Sequence, residues 1–224
     1  MALKNGPPEV RALYQNISKA LNAKDDQGRK WGDSKVGVYC FYDYDGEPIY
    51  VGQTREKLRT RIRRHLTNQR TDAVAMFVLD PYEVHSIEMW PLWDWADKPV
   101  AEVKSYLDRA EWTVYSEAVE KSQFNAVLNE GSIVERKVVS LPKSLRYDIT
   151  PEEWKGRNTH PDVRIARRAQ TLWQLAKVAA EREVSDGLRR TVVVQAARLH
   201  ELALRRYTDL GALDLPPALE TKDE

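Results

Sequence analysis

Residues 36–54 read VGVYCFYDYDGEPIYVGQT, and their interpretation decides the fold. Two apolar, tyrosine-rich runs, 36–44 and 48–54, flank Asp45-Gly46, the dipeptide best suited to a two-residue type I′ turn. The pattern predicts a β-hairpin. With Tyr44 facing Glu47, cross-strand partners sum to 91, so Phe41 faces Tyr50 and Tyr39 faces Gly52. Tyr39 and Tyr50 then lie diagonally on one face, roughly 7–8 Å apart at the backbone, and could reach one phosphate. Gly52 opposite Tyr39 leaves a gap that another backbone could enter. The same aromatics could instead simply cover a core.

Outward from the hairpin, residues 56–68 carry Leu58, Ile62 and Leu66 every fourth position among arginines, as on a helix with one buried stripe. On it Arg61 and His65 stand one turn apart on one face. A guanidinium there could fork onto a phosphate, and the imidazole could polarise or exchange a proton with a reacting oxygen. A third strand is expected at 83–90. A long helix is expected at 99–121, with Val100, Val103, Leu107, Ala110, Val114 and Ala118 along one side. Glu111 borders that stripe, so it should be partly buried and need a cation, either an interior arginine or a hard divalent ion. Val10, Leu13, Tyr14, Ile17 and Leu21 predict an amphipathic leading helix after Pro7-Pro8. Residues 162–183 and 188–207 predict a helical hairpin turning at Ser185-Asp186-Gly187, and residues 213–224 are expected to fray.

The chain has 224 residues, 42% hydrophobic and 31% charged, which describes a packed globule. Its one cysteine, Cys40, offers neither an intrachain disulfide nor a thiolate cluster, and no segment has the length and apolarity to cross a bilayer; the expected location is the cytoplasm. The net charge of +1 hides a segregation: residues 55–70 hold seven Lys or Arg and one acid, while residues 71–120 hold three bases and eleven acids. Arg55, Lys57, Arg59, Arg63 and Arg64 are therefore candidates for holding a phosphate backbone, with a solvated helix face as the plainer meaning. From residue 141 onward fifteen bases balance thirteen acids, which favours helix packing or dimerisation over a DNA clamp for that region.

Gly37-Val38-Tyr39, Tyr50-Val51-Gly52 and the run LRTRIRRH at 58–65 resemble the core of the GIY-YIG nucleases, shared by repair nucleases, homing endonucleases and some restriction enzymes. The resemblance covers about residues 36–130. It implies an α+β fold with a small, three-stranded, mainly antiparallel sheet flanked by helices, to which a C-terminal helical hairpin is added. It makes residues 36–140 the catalytic domain, between an N-terminal helical extension, 1–35, and a C-terminal helical region, 141–224. It also implies that Tyr39 and Tyr50 are the paired tyrosines, Arg61 the phosphate-binding arginine, His65 its companion, Glu111 the ligand of magnesium or manganese, and Asn125 the asparagine that ends the pattern. Glu117 and Glu120 are rivals for the metal position, and Asn129 for the asparagine. Gln53 stands where many members have lysine, so charge assistance to a tyrosine would come from Arg61, Arg64 or Lys57. The expected reaction is in-line attack of water on a phosphodiester of DNA, taken as double-stranded, with Tyr39 as general base. A stand-alone restriction, defence or mobile-element enzyme fits the absence of a zinc-finger motif, and a binding module that has lost turnover is the alternative.

Overall fold

The computed structural model describes residues 6–67, 77–129, 131 and 133–211. Arg70 and the tail expected to fray lie outside the described residues. Four antiparallel strands, β1 (Gly37–Tyr42), β2 (Pro48–Thr54), β3 (Ser86–Pro91) and β4 (Leu145–Asp148), form one sheet in the order β2-β1-β3-β4. The helices are α1 (Pro8–Asn22), α2 (Leu58–Leu66), α3 (Val100–Lys121), α4 (Pro161–Glu181) and α5 (Asp186–Asp209). The α+β class and the flanking helices agree with expectation, but the sheet has a fourth strand. At four residues, with half-buried and exposed positions alternating, β4 leaves too short an apolar pattern to be recognised in sequence. Its pairing with β3 carries the sheet past residue 140, the boundary drawn from sequence.

β1 is central and buried on both faces, so its alternate residues feed two cores. Tyr39 and Phe41, with Ile49, Ile87 and Met89, face α1, α2, α4 and α5. Val38, Cys40 and Val51 face the stripe Val103, Leu107, Ala110, Val114 and Ala118 of α3. Cys40 is wholly enclosed there, and burial pushes its thiol up to about 12, which suits a packing residue.

The β1–β2 connection differs from the expected turn. Asp43 faces Glu47 rather than Tyr44 facing it: Asp43 N–H donates to Glu47 O at 3.0 Å, Gly46 N–H donates to Asp43 O at 3.1 Å, and Gly46 takes φ +77°. This is a three-residue loop with a left-handed glycine at its end. The Asp43 carboxylate selects it by accepting the N–H groups of Asp45 and Glu47 at 2.9 and 3.0 Å. Tyr42 then pairs with Pro48, and a bulge between Phe41 and Tyr42 restores Phe41↔Tyr50, Tyr39↔Gly52 and Gly37↔Thr54. The register inferred from the wrong turn is thus the register observed, because the one-residue offset of the three-residue loop and the bulge cancel.

β2 is an edge strand, and residues 128–129 cover its outer side. Leu128 N–H donates to Ile49 O at 2.8 Å. The Asn129 amide accepts from Val51 N–H at 3.1 Å and donates to Val51 O at 2.7 Å, in the manner of a strand neighbour.

A buried ionic cluster fastens the C-terminal helices to the hairpin loop. Asp43 Oδ2 accepts from Arg168 at 2.9 Å and also from Arg198, Asp45 Oδ2 from Arg164 at 2.7 Å, and Glu83 Oε2 from Arg168 at 3.0 Å. Asp43, Arg164, Arg168 and Arg198 are each at most 5% exposed. Arg205 reaches Asp45, Arg206 reaches Asp162, and Arg167 reaches Asn158. Most of the cations counted on these helices are therefore engaged within the chain. Asp43→Ala would leave two buried guanidinium groups short of a counter-ion and is expected to cost about 3–5 kcal/mol by chemical denaturation. Lys143→Ala, which breaks the exposed contact with Asp26, should stay within about 0.5 kcal/mol.

Candidate active site

The cleft over the β2 edge has a volume of about 410 Å³ and is lined by Tyr50, Val51, Gly52, Gln53, Arg61, Asp108, Glu111, Asn129, Gly131, Ile133, Val134 and Arg136. Because side chains alternate along a strand, β2 sends Tyr50 toward the α2 side and Gln53 toward the α3 side. At an edge strand those two faces meet in one opening. Arg61 of α2 and Glu111 of α3 enter it from opposite sides of the sheet.

On the α2 side, Tyr39 and Tyr50 lie with ring centroids 6.3 Å apart and His65 4.9 Å from Tyr50. The Tyr39 hydroxyl is 2.7 Å from His65 Nε2. Tyr39 itself is fully buried, its ring lying over the backbone of Gly52. The gap at Gly52 is thus filled by the ring of Tyr39, not by an approaching backbone. Burial pushes the Tyr39 phenol well above its ordinary value and Tyr50 adds to this; Arg61 opposes it by charge and hydrogen bonding without reversing it. The nearby cation does not offset burial, which disfavours the phenolate form of Tyr39. The protonated Tyr39 hydroxyl and His65 Nε2 share one hydrogen bond, whose direction follows the tautomer of the imidazole. Arg61 keeps its Nε–H buried with no hydrogen-bond partner among the described residues, an open donor beside the cleft.

On the α3 side, the Gln53 amide donates to Asp108 Oδ1 and to Glu111 Oε2, both at 2.9 Å. Burial pushes Glu111 up to about 7, with the Asp108 charge acting in the same direction and Gln53 and Arg61 pulling it back. Gln53, at the position where many GIY-YIG nucleases have lysine, thus hydrogen-bonds the carboxylates. Asp108 is a residue that sequence reading passed over, although its spacing of three from Glu111 already put both on one helix face.

Two expectations need correction, the asparagine and the basic strip. Asn125 is exposed in a turn after α3, at φ +48°, and does not line the cleft; its rival Asn129 does. A turn after a helix favours asparagine for its tolerance of the left-handed region, which explains the misleading match. Glu117 and Glu120 are exposed, with Glu117 paired to Lys121. The basic strip of α2 is largely tied down: Lys57 and Arg59 contact Asp33, Arg63 donates to Ser18, and Arg64 pairs with Glu56. Of the five candidate backbone-holding residues, Arg55 alone lines a depression next to the reaction centre.

A hairpin carrying two apposed tyrosines, an arginine-histidine helix turn beneath it and a carboxylate pair facing it across a sheet edge describe a nuclease-type catalytic domain. Residues 35–112 match the family model of the GIY-YIG catalytic domain, which supports a nuclease-type function for this segment. No curated protein and no solved structure matches the chain.

A methyl group at Gly52 would stand 2.4 Å from the Tyr39 hydroxyl oxygen and 2.6 Å from Cζ, closer than any side chain can be held. Gly52→Ala is expected to lose about 1–3 kcal/mol through overpacking. Displacing the Tyr39 ring should also suppress cleavage; thermal melts and single-turnover assays check the two effects separately.

Proposed function

We propose that the chain is a DNA endonuclease that hydrolyses phosphodiester bonds by in-line attack of water, using a single divalent ion. The observation that carries this reading is the opposition of Arg61 and Glu111 across the β2 edge: an open, buried guanidinium donor and a carboxylate pair face one cleft. Nucleases of this superfamily are generally dependent on a divalent metal. Among the described residues no group of three or more His, Cys, Asp or Glu side chains comes together, which argues against a closed all-protein cage. A hard cation such as magnesium needs only one or two carboxylates, with water and phosphate oxygens completing the shell. Glu111 and Asp108 fit that donor set, and the rise of Glu111 to about 7 marks a carboxylate that would gain from a cation. Bound there, the ion would supply Lewis-acid stabilisation of the leaving oxygen.

The protein's own groups do the rest. Arg61 binds the non-bridging oxygens and neutralises charge that grows toward the transition state. Tyr50 hydrogen-bonds the attacking water, since of the two phenols it is the one that lines the cleft. Tyr39 is a positioning residue: it shares a hydrogen bond with His65 Nε2 and accepts from Arg61, so it fixes both side chains. Gln53 holds the two carboxylates together before the ion enters. Selection of a target is a property of elements outside such a core. A restriction-like, defence or mobile-element setting is the finer reading, supported by the resemblance. Sequencing the ends produced from mixed DNA tests it, and a random cut pattern removes the restriction reading.

Glu111→Ala should abolish magnesium-dependent cleavage while DNA binding persists; cleavage retained in this variant overturns the assignment, and wild-type binding without turnover would favour an inactive binding module. The pH dependence has a defined sign. A carboxyl raised in the fold contributes stability that is complete below its unfolded value of 4.5 and is lost as pH rises through about 7. The cation takes the ionised form, so the magnesium-induced rise in Tm should grow between pH 5.5 and pH 8 and largely vanish in Glu111→Gln.

A further inference from the structure

Given the polynucleotide substrate proposed above, we infer that Arg55, Lys104 and Arg136 grip the backbone on the two sides of the reaction centre, holding phosphates that flank the scissile one. The cleft at Tyr50 and Glu111 adjoins a second depression of about 450 Å³, and the two share Gln53, Arg61 and Asp108. Together they form one groove over the β2 edge. Arg136 lines the first part, and Arg55 and Lys104 line the second. The shared middle carries Asp108 and borders Glu111, so without compensating cations it would repel a phosphodiester chain.

All three cations are exposed, and among the described residues none has an ion-pair partner. This separates them from the α2 cations that the charge count singled out, which are held by Asp33, Ser18 and Glu56. Distance separates Lys104 from the scissile phosphate. Lys104 precedes Glu111 by seven residues on α3, about 10 Å along the helix axis. That is beyond the reach of a single phosphate group, so Lys104 serves a different phosphate of the chain. Arg61 remains for the scissile phosphate, while the outer cations fix the register of the chain through the groove.

The test compares the wild type with Arg55→Ala/Lys104→Ala/Arg136→Ala and with a charge-matched control, Lys143→Ala/Lys155→Ala/Lys177→Ala. Binding of a fluorescent DNA oligonucleotide is followed by anisotropy in EDTA over a salt series, and KM is measured in magnesium. The groove variant should flatten the slope of log affinity against log salt by about 2–3, since each lost phosphate contact removes ~0.7–0.9. Its KM should rise about tenfold or more, with Tm unchanged, while the control stays within about twofold of wild type in both readouts. A groove variant with wild-type slope and KM overturns the inference while leaving the nuclease reading intact, and an equal loss in the control does the same. Binding that weakens as expected in a wild-type protein that does not cut would keep the grip and sink the nuclease reading. A wild type that binds no oligonucleotide overturns both.

Discussion

The pairing of Tyr39 with Gly52 sets the geometry of everything around it. The Tyr39 ring crosses the only position on β2 where no Cβ stands in its way, and its hydroxyl there reaches His65. Side chains alternate along a strand, so a slip of one residue between β1 and β2 would turn Tyr50 away from α2 and Gln53 away from α3. The cleft-lining groups of both helices depend on that single register. The bulge at Pro48, which has no N–H to give the ladder, and the loop closed by the Asp43 carboxylate hold it in place.

The site gains its chemistry from lying at an edge strand. In the middle of a sheet the α2 and α3 layers are separated by the sheet itself, and a guanidinium on one side cannot share a ligand with a carboxylate on the other. At β2 the two sides come together, and the electrostatics show it: Arg61 lowers and Asp108 raises the same Glu111 carboxyl, and Arg61 also acts on Tyr39. Burial wins in both cases, leaving a neutral phenol and a carboxyl poised near neutrality. An edge is also an exposed row of backbone groups, and the Asn129 amide closes it beside the cleft by pairing with both polar groups of Val51.

The C-terminal helices belong to the same body through an ionic cluster and not through apolar contact alone. Desolvating arginines and carboxylates costs about as much as their attraction returns, so such a cluster adds little net stability but strongly disfavours any other docking of α4 and α5. The loop that sets the hairpin register is the loop that Arg164, Arg168 and Arg198 grasp. Placement of the C-terminal helices and shape of the catalytic hairpin are thereby linked by one carboxylate, Asp43.

The sequence by itself determined what depends on local periodicity. The alternation of residues 36–54 gave two strands, the four-residue spacing of Leu58, Ile62 and Leu66 gave α2, and the long apolar stripe gave α3. The tyrosines, Arg61, His65 and Glu111 were legible because each stands at a fixed offset within one of these elements or in a recognisable motif. Only the tertiary structure decided what depends on contacts between distant segments. It put Asn129 and not Asn125 at the cleft, because that placement rests on pairing with Val51, 78 residues earlier. It joined Gln53 to Asp108 and Glu111 across more than fifty residues. It also turned a strip of apparently available arginines into partners of α1, Asp33 and Glu56. A charge count records how many cations a segment has; whether they are free for a ligand is fixed by the acids and hydroxyls that folding brings beside them.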